Sequence, residues 1–388
     1  MSKSRFFFIT GLTRSGTTLL EKLLHNHTEI AIHSQPLPYL YRYLKSVFFA
    51  EIDYPKNYYV LNNLFQERRY TQSDLISFLK KFHLEKDELR DLLTEMKGFS
   101  GQLTQIEDFD KLLANYKSST LVEAYLYLVD KLSSESRKLA GTKEVNCEEF
   151  IGYYMAEGIK CVIILRDPRD VIASMNFGGG REFVGDYRPI LFHVRNWRKS
   201  VHLSLLYEGH PNFHFVKYED IVNSSMETLN KISGFLGTSP FSEKIIENEL
   251  IDQVGSRWVS NSSVQKGVTT GGAIRSSIGN YTKYLASDII KYVEYTCYPE
   301  MKFLGYSSNQ LMDLVEFGNL ELIEKYDTQK VKLEPDYSNL PKNKKDESSR
   351  LEMYFAAQNN ANQINDEAAR LNYLSREVLI KLANENYR

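Results

Sequence analysis

Phe6, Phe7, Phe8, Ile9 and Thr10 form a short β-prone run with no polar alternation, the pattern of a strand covered on both faces of a parallel sheet. A glycine-bounded turn follows. Thr18 to His25 (TLLEKLLH) then sets Leu19, Leu20, Leu23 and Leu24 at helical spacing, so residues 6–25 read as strand, loop and helix. A second strand is predicted at Glu29 to His33. The pattern recurs at Lys160 to Leu165 (KCVIIL), where five apolar residues lead into RDPRD and the helical run DVIASM. A further buried strand is predicted at Asn212 to Val216 (NFHFV), ending in KYED. Buried strands separated by amphipathic helices predict an α/β fold with a central parallel sheet flanked by helices.

Between these strands, residues 71–98 and 105–132 are polar and carry apolar positions every three to four residues, which predicts a helical insert over about 71–132. After residue 306 the character changes to a charged stretch, Pro341 to Arg350 (PKNKKDESSR), and a polar tail. Residues 1–310 are read as one domain and 311–388 as a linker and a helical C-terminal extension. Leu371, Leu374, Val378 and Leu382 mark one face of the expected terminal helix, a face that packs on its own domain.

Composition narrows the function classes. Hydrophobic residues make up 42% and charged residues 25%, as in a globular protein. The 48 basic and 50 acidic side chains leave a formal charge of −2, which provides no global field for a polyanion. Nucleic acid is therefore not an expected partner, and any anion site must be local. Cys147, Cys161 and Cys297 are too few and too scattered for a disulfide framework, and no Cys/His cluster calls for a metal. The run Phe6 to Ile9 is shorter than the core of a signal peptide, and no apolar stretch approaches the roughly 18 residues of a membrane helix. These features predict a cytoplasmic protein without an integral membrane segment.

Two segments carry candidate chemistry. GLTRSGTT has Gly11 and Gly16 five apart, followed by Thr17 and Thr18, after a buried strand and before a helix. In that context backbone N–H groups at a helix N-terminus cradle a phosphate. A nucleotide P-loop reads GxxxxGK[ST]; here Thr17 stands at the lysine position, and a cation sits inside the loop at Arg14. The loop therefore suits an anion without a transferable γ-phosphate; a Gly-rich turn of no ligand significance is the alternative. The second segment, RDPRDVIAS at 166–174, follows a buried strand. Pro168 favours a helix start, Asp167 or Asp170 can cap it, and Arg166 with Ser174 can clamp one more phosphate. An Arg/Asp salt-bridge cluster at a helix N-terminus is the alternative there.

Together the segments resemble the sulfotransferases that use 3′-phosphoadenosine 5′-phosphosulfate. In that family a P-K/R-S-G-T-T loop binds the 5′-phosphosulfate and an R-D-P-R-D…S segment binds the 3′-phosphate. TRSGTT at 13–18 matches the first, with Thr13 in place of proline, and RDPRDVIAS matches the second. KYEDIV at 217–222 is similar to the family's YED segment, whose tyrosine lies on the adenine, which implicates Tyr218. IRSSIGNYTKYL at 274–285 is similar to the late loop that closes over the nucleotide, with Arg275 the implied contact to the 3′-phosphate. The resemblance spans residues 5–306 and implies a donor site of Arg14, Ser15, Gly16, Thr17, Thr18, Arg166, Ser174, Tyr218 and Arg275.

It also implies in-line sulfuryl transfer, for which the catalytic candidates are Lys143, His33, Glu144 and Arg14. Lys143, 23 residues before Arg166, corresponds to the lysine that reaches the sulfuryl group; an exposed surface lysine is its alternative. A glutamate expected near position 35 in members with this loop is Gln35 here, which accepts no proton. His33, on the same face of an extended strand, and Glu144, corresponding to the histidine of a KTH motif, are the candidate bases, with His33 slightly preferred. His25 and His27 are read as caps at the end of the first helix.

For the acceptor, Tyr39, Tyr41, Tyr43, Phe48, Phe49, Tyr54, Tyr58, Tyr59 and Phe65 can line an apolar pocket for a small, hydrophobic or lipid-like alcohol. Phe177 to Gly180 and 255–272 are candidate gating loops. Arginine and lysine take the place of a metal. Two other functions remain open on the sequence: a catalytically weak nucleotide-binding or interaction protein of the same fold, and a P-loop kinase.

Overall fold

The computed structural model describes residues 2–53, 70–97, 106–133, 137–177, 188–247, 250–251, 255, 257–258, 277–307, 337, 339–360 and 364–384. The chain divides into two compact units: Met1–Glu51, Gln72–Leu165 and Glu208–Ser276 form the first, and Ile52–Thr71, Arg166–Tyr207 and Ser277–Arg388 the second.

The first unit holds a parallel five-stranded sheet. Its strands are β1 (Phe6–Gly11), β2 (Ile30–Ser34), β3 (Leu139–Lys143), β4 (Lys160–Leu165) and β5 (Phe213–Lys217). The sheet order is β2-β3-β1-β4-β5, with β1 in the centre pairing Ile9 with Lys143 on one side and with Val162 on the other. Every residue of β1 is buried, as an uninterrupted apolar run predicts. The expected strands at 29–33 and 212–216 are each displaced by one residue, and 160–165 is unchanged.

β3 (LAGTK) is the strand that hydrophobic patterning does not reveal. It is short and ends on two polar residues, but parallel pairing with β1 on one side and β2 on the other makes it a strand, with all five positions buried. Gly141 is required within it, because a Cβ there would lie 2.3 Å from Phe7 O on β1.

Helix α1 (Thr17–His25) follows β1 and buries Leu19, Leu20, Leu23 and Leu24 against Phe7, Ile9, Ile32, Val162 and Ile164. The expected helical insert between β2 and β3 consists of Gln72–Lys81, Lys86–Met96, Phe109–Leu112 and Leu121–Leu132, after α2 (Pro38–Glu51). Capping boxes at Glu85/Glu88 and Thr120/Glu123 fix two of their starts.

In the second unit, Pro168–Ile172 runs into a π-helical turn, Ala173–Phe177. The helix Ile190–Tyr207 is buried over almost its whole length. It therefore shows no single apolar stripe, which is why periodicity does not signal it. Helices Tyr281–Tyr284, Ser287–Thr296 and Tyr298–Leu304 follow, then Leu340–Asn360, Asp366–Tyr373 and Arg376–Ala383. The expected single terminal helix is thus broken. Leu374 takes a left-handed φ of 68°, and the Ser375 side chain accepts from Val378 N to start a new helix. Val378 and Leu382 are buried, whereas Leu371 and Leu374 are half-buried. Among the described residues no helix is long and apolar enough to cross a membrane.

Candidate active site

In the first unit the site is built where β1 ends. Ser15 N donates to Leu12 O at 3.0 Å, Arg14 has φ 72°, and Gly16 caps α1 with φ 98°. Left-handed positions at 14 and 16 turn the chain sharply enough that the first-turn amides of α1, from Thr17 onward, face the loop. Gly16 is required twice over: its φ disfavours any side chain, and a Cβ would lie 2.5 Å from Tyr218 Cδ2. Tyr218, 4% exposed at the C-terminal end of β5, therefore buttresses this glycine. Ser15 is 1% exposed, and its Oγ has no hydrogen-bond partner among the described residues. A buried hydroxyl beside the first-turn amides of a helix is an arrangement that an anion completes. Thr17 is buried and Thr18 half-buried.

The loop leans on the segment after β3. Asn146 Oδ1 accepts from Thr13 N at 2.9 Å and Asn146 Nδ2 donates to Thr13 Oγ1 at 2.7 Å. Asn146 N donates to Gly11 O, and Glu144 N to Ile9 O. Asn146, with a left-handed φ of 57°, gives no motif in the sequence, because its partner is 133 residues away.

Lys143 closes β3 and is fully buried rather than a surface lysine. Its Nζ donates to Gln35 Oε1 at 3.2 Å, and Gln35 N donates to Lys143 O at 2.8 Å. Gln35 thus holds the lysine from both ends of the residue. Burial pushes the Lys143 pKa down, and the carboxyls of Glu21 and Glu144 push it back up. Glu21, on the buried face of α1, joins this cluster without any signal in the sequence; burial pushes its own pKa up against the pull of Lys22 and Lys143. Glu144 is also fully buried. Its Oε1 accepts from Leu37 N at 3.0 Å, and its Oε2 has no hydrogen-bond partner among the described residues. Burial raises its pKa well above the ordinary carboxylate range, against the N–H of Leu37 and the charge of Lys143.

His33 is 3% exposed, and its Nε2 lies 2.8 Å from Ser133 Oγ. That hydroxyl donates to Val129 O at 2.6 Å, so Nε2–H is the donor of the pair. The strand parity expected to align His33 with Gln35 does not carry through, because β2 ends at Ser34 and Gln35 has φ 48°. His25 is the last residue of α1, whereas His27 joins two segments, Nε2 contacting Ser239 O and Nδ1 accepting from Glu29 N.

In the second unit, Arg166 is 7% exposed and its NH2 group donates to Ser277 O at 2.9 Å and to Ser277 Oγ at 3.1 Å. Asp170 accepts from Gly279 N and Tyr281 N, both at 2.8 Å. Arg169 pairs with Asp167 at 2.7 Å and with Glu294 at 2.6 Å, and its guanidinium lies 4.5 Å from the Tyr281 ring centroid. Burial opposes the Arg169 charge, and these carboxylates more than offset it. The RDPRD segment therefore grips residues 277–281 of the late loop with three side chains. Asp167 caps the helix, with Pro168 in its first turn, as expected. Ser174 is half-buried in the π-helical turn.

Arg275, Tyr54, Tyr58, Tyr59, Phe65, residues 178–180 and most of 255–272 lie outside the described residues. Of the remaining aromatics proposed as pocket lining, Tyr41, Phe48 and Phe49 belong to the core. Tyr41 OH meets Tyr154 OH at 2.6 Å, and Phe48 packs on Phe49 and Phe78. Tyr43 OH donates to Glu88 at 2.8 Å. No group of three or more side chains among the described residues has the arrangement of a metal site.

Solved structures similar to this chain include a sulfotransferase domain from the curacin biosynthetic pathway, 18% identical over 82% of this chain and 98% of that one, with TM-score 0.36. A sulfotransferase domain from the Synechococcus olefin synthase is 17% identical over 82% and 96%, with TM-score 0.37. A mouse sulfotransferase complexed with PAP is 12% identical over 77% and 84%, with TM-score 0.40. No curated protein matches in sequence. The pattern of the sulfotransferase family matches residues 7–243, which is more than half of the chain and includes the loop at 13–18, Lys143, the RDPRD segment and Tyr218. The chain therefore belongs to the sulfotransferase family.

Proposed function

We propose that the protein transfers a sulfuryl group from 3′-phosphoadenosine 5′-phosphosulfate to a hydroxyl of a small, hydrophobic or lipid-like acceptor. The observation that carries this reading is the buried Ser15 Oγ, without a partner among the described residues, one residue before the Gly16 cap of α1, which has no side-chain cap hydrogen bond. These groups fit a bound phosphosulfate. The donor supplies an activated sulfuryl group whose sulfur–oxygen bond to phosphate is the one that breaks.

The chain's own groups divide the remaining work. Ser15, Thr17, Thr18 and the loop amides hold and orient the 5′ end, and Arg14 adds positive charge there. Arg166 and Ser174 are assigned the 3′-phosphate on their motif, and Tyr218 fixes the loop through Gly16. Lys143 offers an ammonium in a dry setting, where its charge acts more strongly than in water. Negative charge brought beside it would favour its protonated form, opposing the desolvation that lowers its pKa.

For the base, Glu144 is favoured over His33. Its Oε2 has no partner among the described residues, and burial raises its affinity for a proton above that of an ordinary carboxylate. His33 donates Nε2–H to Ser133, which leaves only its Nδ1 to accept a proton. The balanced charge of the chain favours an uncharged acceptor over a polyanionic one.

The test is transfer of labelled sulfate from the donor to a panel of hydroxylated acceptors. Glu144→Gln is expected to lower kcat by about 10²-fold while leaving donor affinity unchanged. Full activity in Glu144→Gln together with loss in His33→Asn would move the base to His33. Binding of the nucleotide without turnover on any acceptor would support the non-catalytic binding protein instead.

A further inference from the structure

The C-terminal segment after residue 339 lies beyond the part of the chain that matches the family. Its helix Leu340–Asn360 nevertheless sends two charged side chains into the interior of the second unit. Glu347 is 1% exposed. It accepts from Arg195 Nε at 3.0 Å and from both terminal nitrogens of Arg198. Arg350, 2% exposed, donates to Glu300 at 3.1 Å and to Thr296 O, and its own carbonyl accepts from Tyr373 OH at 2.6 Å. Glu300 also meets His202 Nε2 at 2.7 Å. Burial works to raise the Glu347 and Glu300 pKa values, but the arginines overcome it and hold both carboxylates ionised.

Arg195 and Arg198 flank Trp197 on the helix Ile190–Tyr207, and Trp197 Nε1 donates to Arg166 O at 2.7 Å. A second connection runs through the helix Ser287–Thr296: Thr296 O accepts from Arg198 and Arg350, and Glu294 on the same helix holds Arg169. Without Glu347, two buried guanidinium groups beside Trp197 would lose their shared counter-charge.

We infer that the C-terminal extension is a brace for the Arg166 segment, with Glu347 as a positioning residue that acts through Arg195, Arg198 and Trp197. In its functional consequence this rests on the proposed reading of Arg166 as the 3′-phosphate contact. The brace itself is independent of that reading. Beside buried apolar residues such as Leu351, Tyr354 and Val378, the tail places a carboxylate between two arginines that flank the tryptophan holding the Arg166 backbone.

The experiment compares wild type, Glu347→Gln and Trp197→Phe in two measurements. The first is amide hydrogen exchange over residues 166–177 without ligand, which is expected to quicken in both variants. The second is calorimetric affinity for adenosine 3′,5′-bisphosphate and for adenosine 5′-monophosphate. The bisphosphate should bind roughly three- to tenfold more weakly in each variant, as expected for one displaced hydrogen-bonded contact, while the monophosphate is unaffected. Trp197→Phe keeps most of the ring packing and loses the N–H, so it remains informative if Glu347→Gln does not fold. Unchanged exchange over 166–177 in a folded Glu347→Gln, or in Trp197→Phe, would overturn the brace. Equal weakening for both nucleotides would reduce it to a general stability effect and overturn the positioning role. A wild type that does not prefer the bisphosphate would sink the reading of Arg166 and leave the exchange measurement to decide the brace.

Discussion

Gly16→Ala isolates the feature on which the anion loop depends. Gly16 has φ 98°, and a left-handed conformation costs an L-residue about 1–2 kcal/mol. The new Cβ would lie 2.5 Å from Tyr218 Cδ2 and 3.3 Å from Ile164 Cδ1. Tyr218 is 4% exposed and packs in the main core with Ile164, so the ring cannot yield freely. Overpacking of this kind costs about 1–3 kcal/mol. The two contributions together make roughly 2–5 kcal/mol.

A double-mutant cycle with Tyr218→Ala separates them. Removing the ring abolishes the clash but not the backbone cost, so the double mutant should be more stable than additivity predicts by about 1–3 kcal/mol. The assay is urea unfolding of the four proteins followed by circular dichroism. Gly16→Ala within about 0.5 kcal/mol of wild type would refute the argument, as would an additive cycle.

Lys143→Met should keep donor affinity within about threefold while kcat falls roughly 10²–10³-fold, because a buried cation aimed at developing charge acts mainly in the transition state; single-turnover transfer assays check it, and an unchanged kcat would contradict it. Burial, with Arg188 contributing, pushes the His193 pKa from 6.5 to about 3, so the unfolded chain takes up a proton that the folded chain refuses. Stability is therefore lost as pH falls below about 6.5, by about 1.4 kcal/mol per pH unit for this group. His193→Gln, which can still donate to Asn176, should flatten the fall in urea midpoint between about pH 7 and pH 5; an identical fall in both proteins would contradict the assignment. Asp170→Asn leaves one carbonyl oxygen for two backbone N–H groups, so amide exchange at Gly279 or Tyr281 should rise, and unchanged protection would show that the carboxylate does not anchor that loop.

What could be read from sequence followed from local causes. β1, the loop at 13–18 and α1 were legible because a buried strand, two glycines and a leucine stripe each act within a few residues. β4 and the RDPRD helix start were legible for the same reason, with Pro168 and Asp167 as local signals. β3 was not legible, because its burial depends on strands remote in sequence and its glycine is there for Phe7 O. The helix Ile190–Tyr207 is not legible, because its arginines are buried by acceptors from residues 296–347, so a polar pattern hides an interior helix. The aromatic segment 36–49 was ambiguous in principle: core and ligand pocket ask for the same side chains, and only the Tyr41–Tyr154 and Phe48–Phe78 contacts assign them to the core. In the candidate site the motif residues were legible, but their supports were not. Asn146 on Thr13, Gln35 on Lys143 and Ser277 on Arg166 each act across more than one hundred residues.

The proposed function requires the chain to bind a 3′-phosphorylated adenine nucleotide in preference to a triphosphate. Calorimetric titration of adenosine 3′,5′-bisphosphate and of ATP, on wild type and on Arg166→Ala, tests it most directly. Wild type is expected to bind the bisphosphate selectively, and the variant to lose that selectivity. Equal affinity for the two nucleotides, or a preference for ATP, would contradict it and return Thr17 and its loop to the kinase reading.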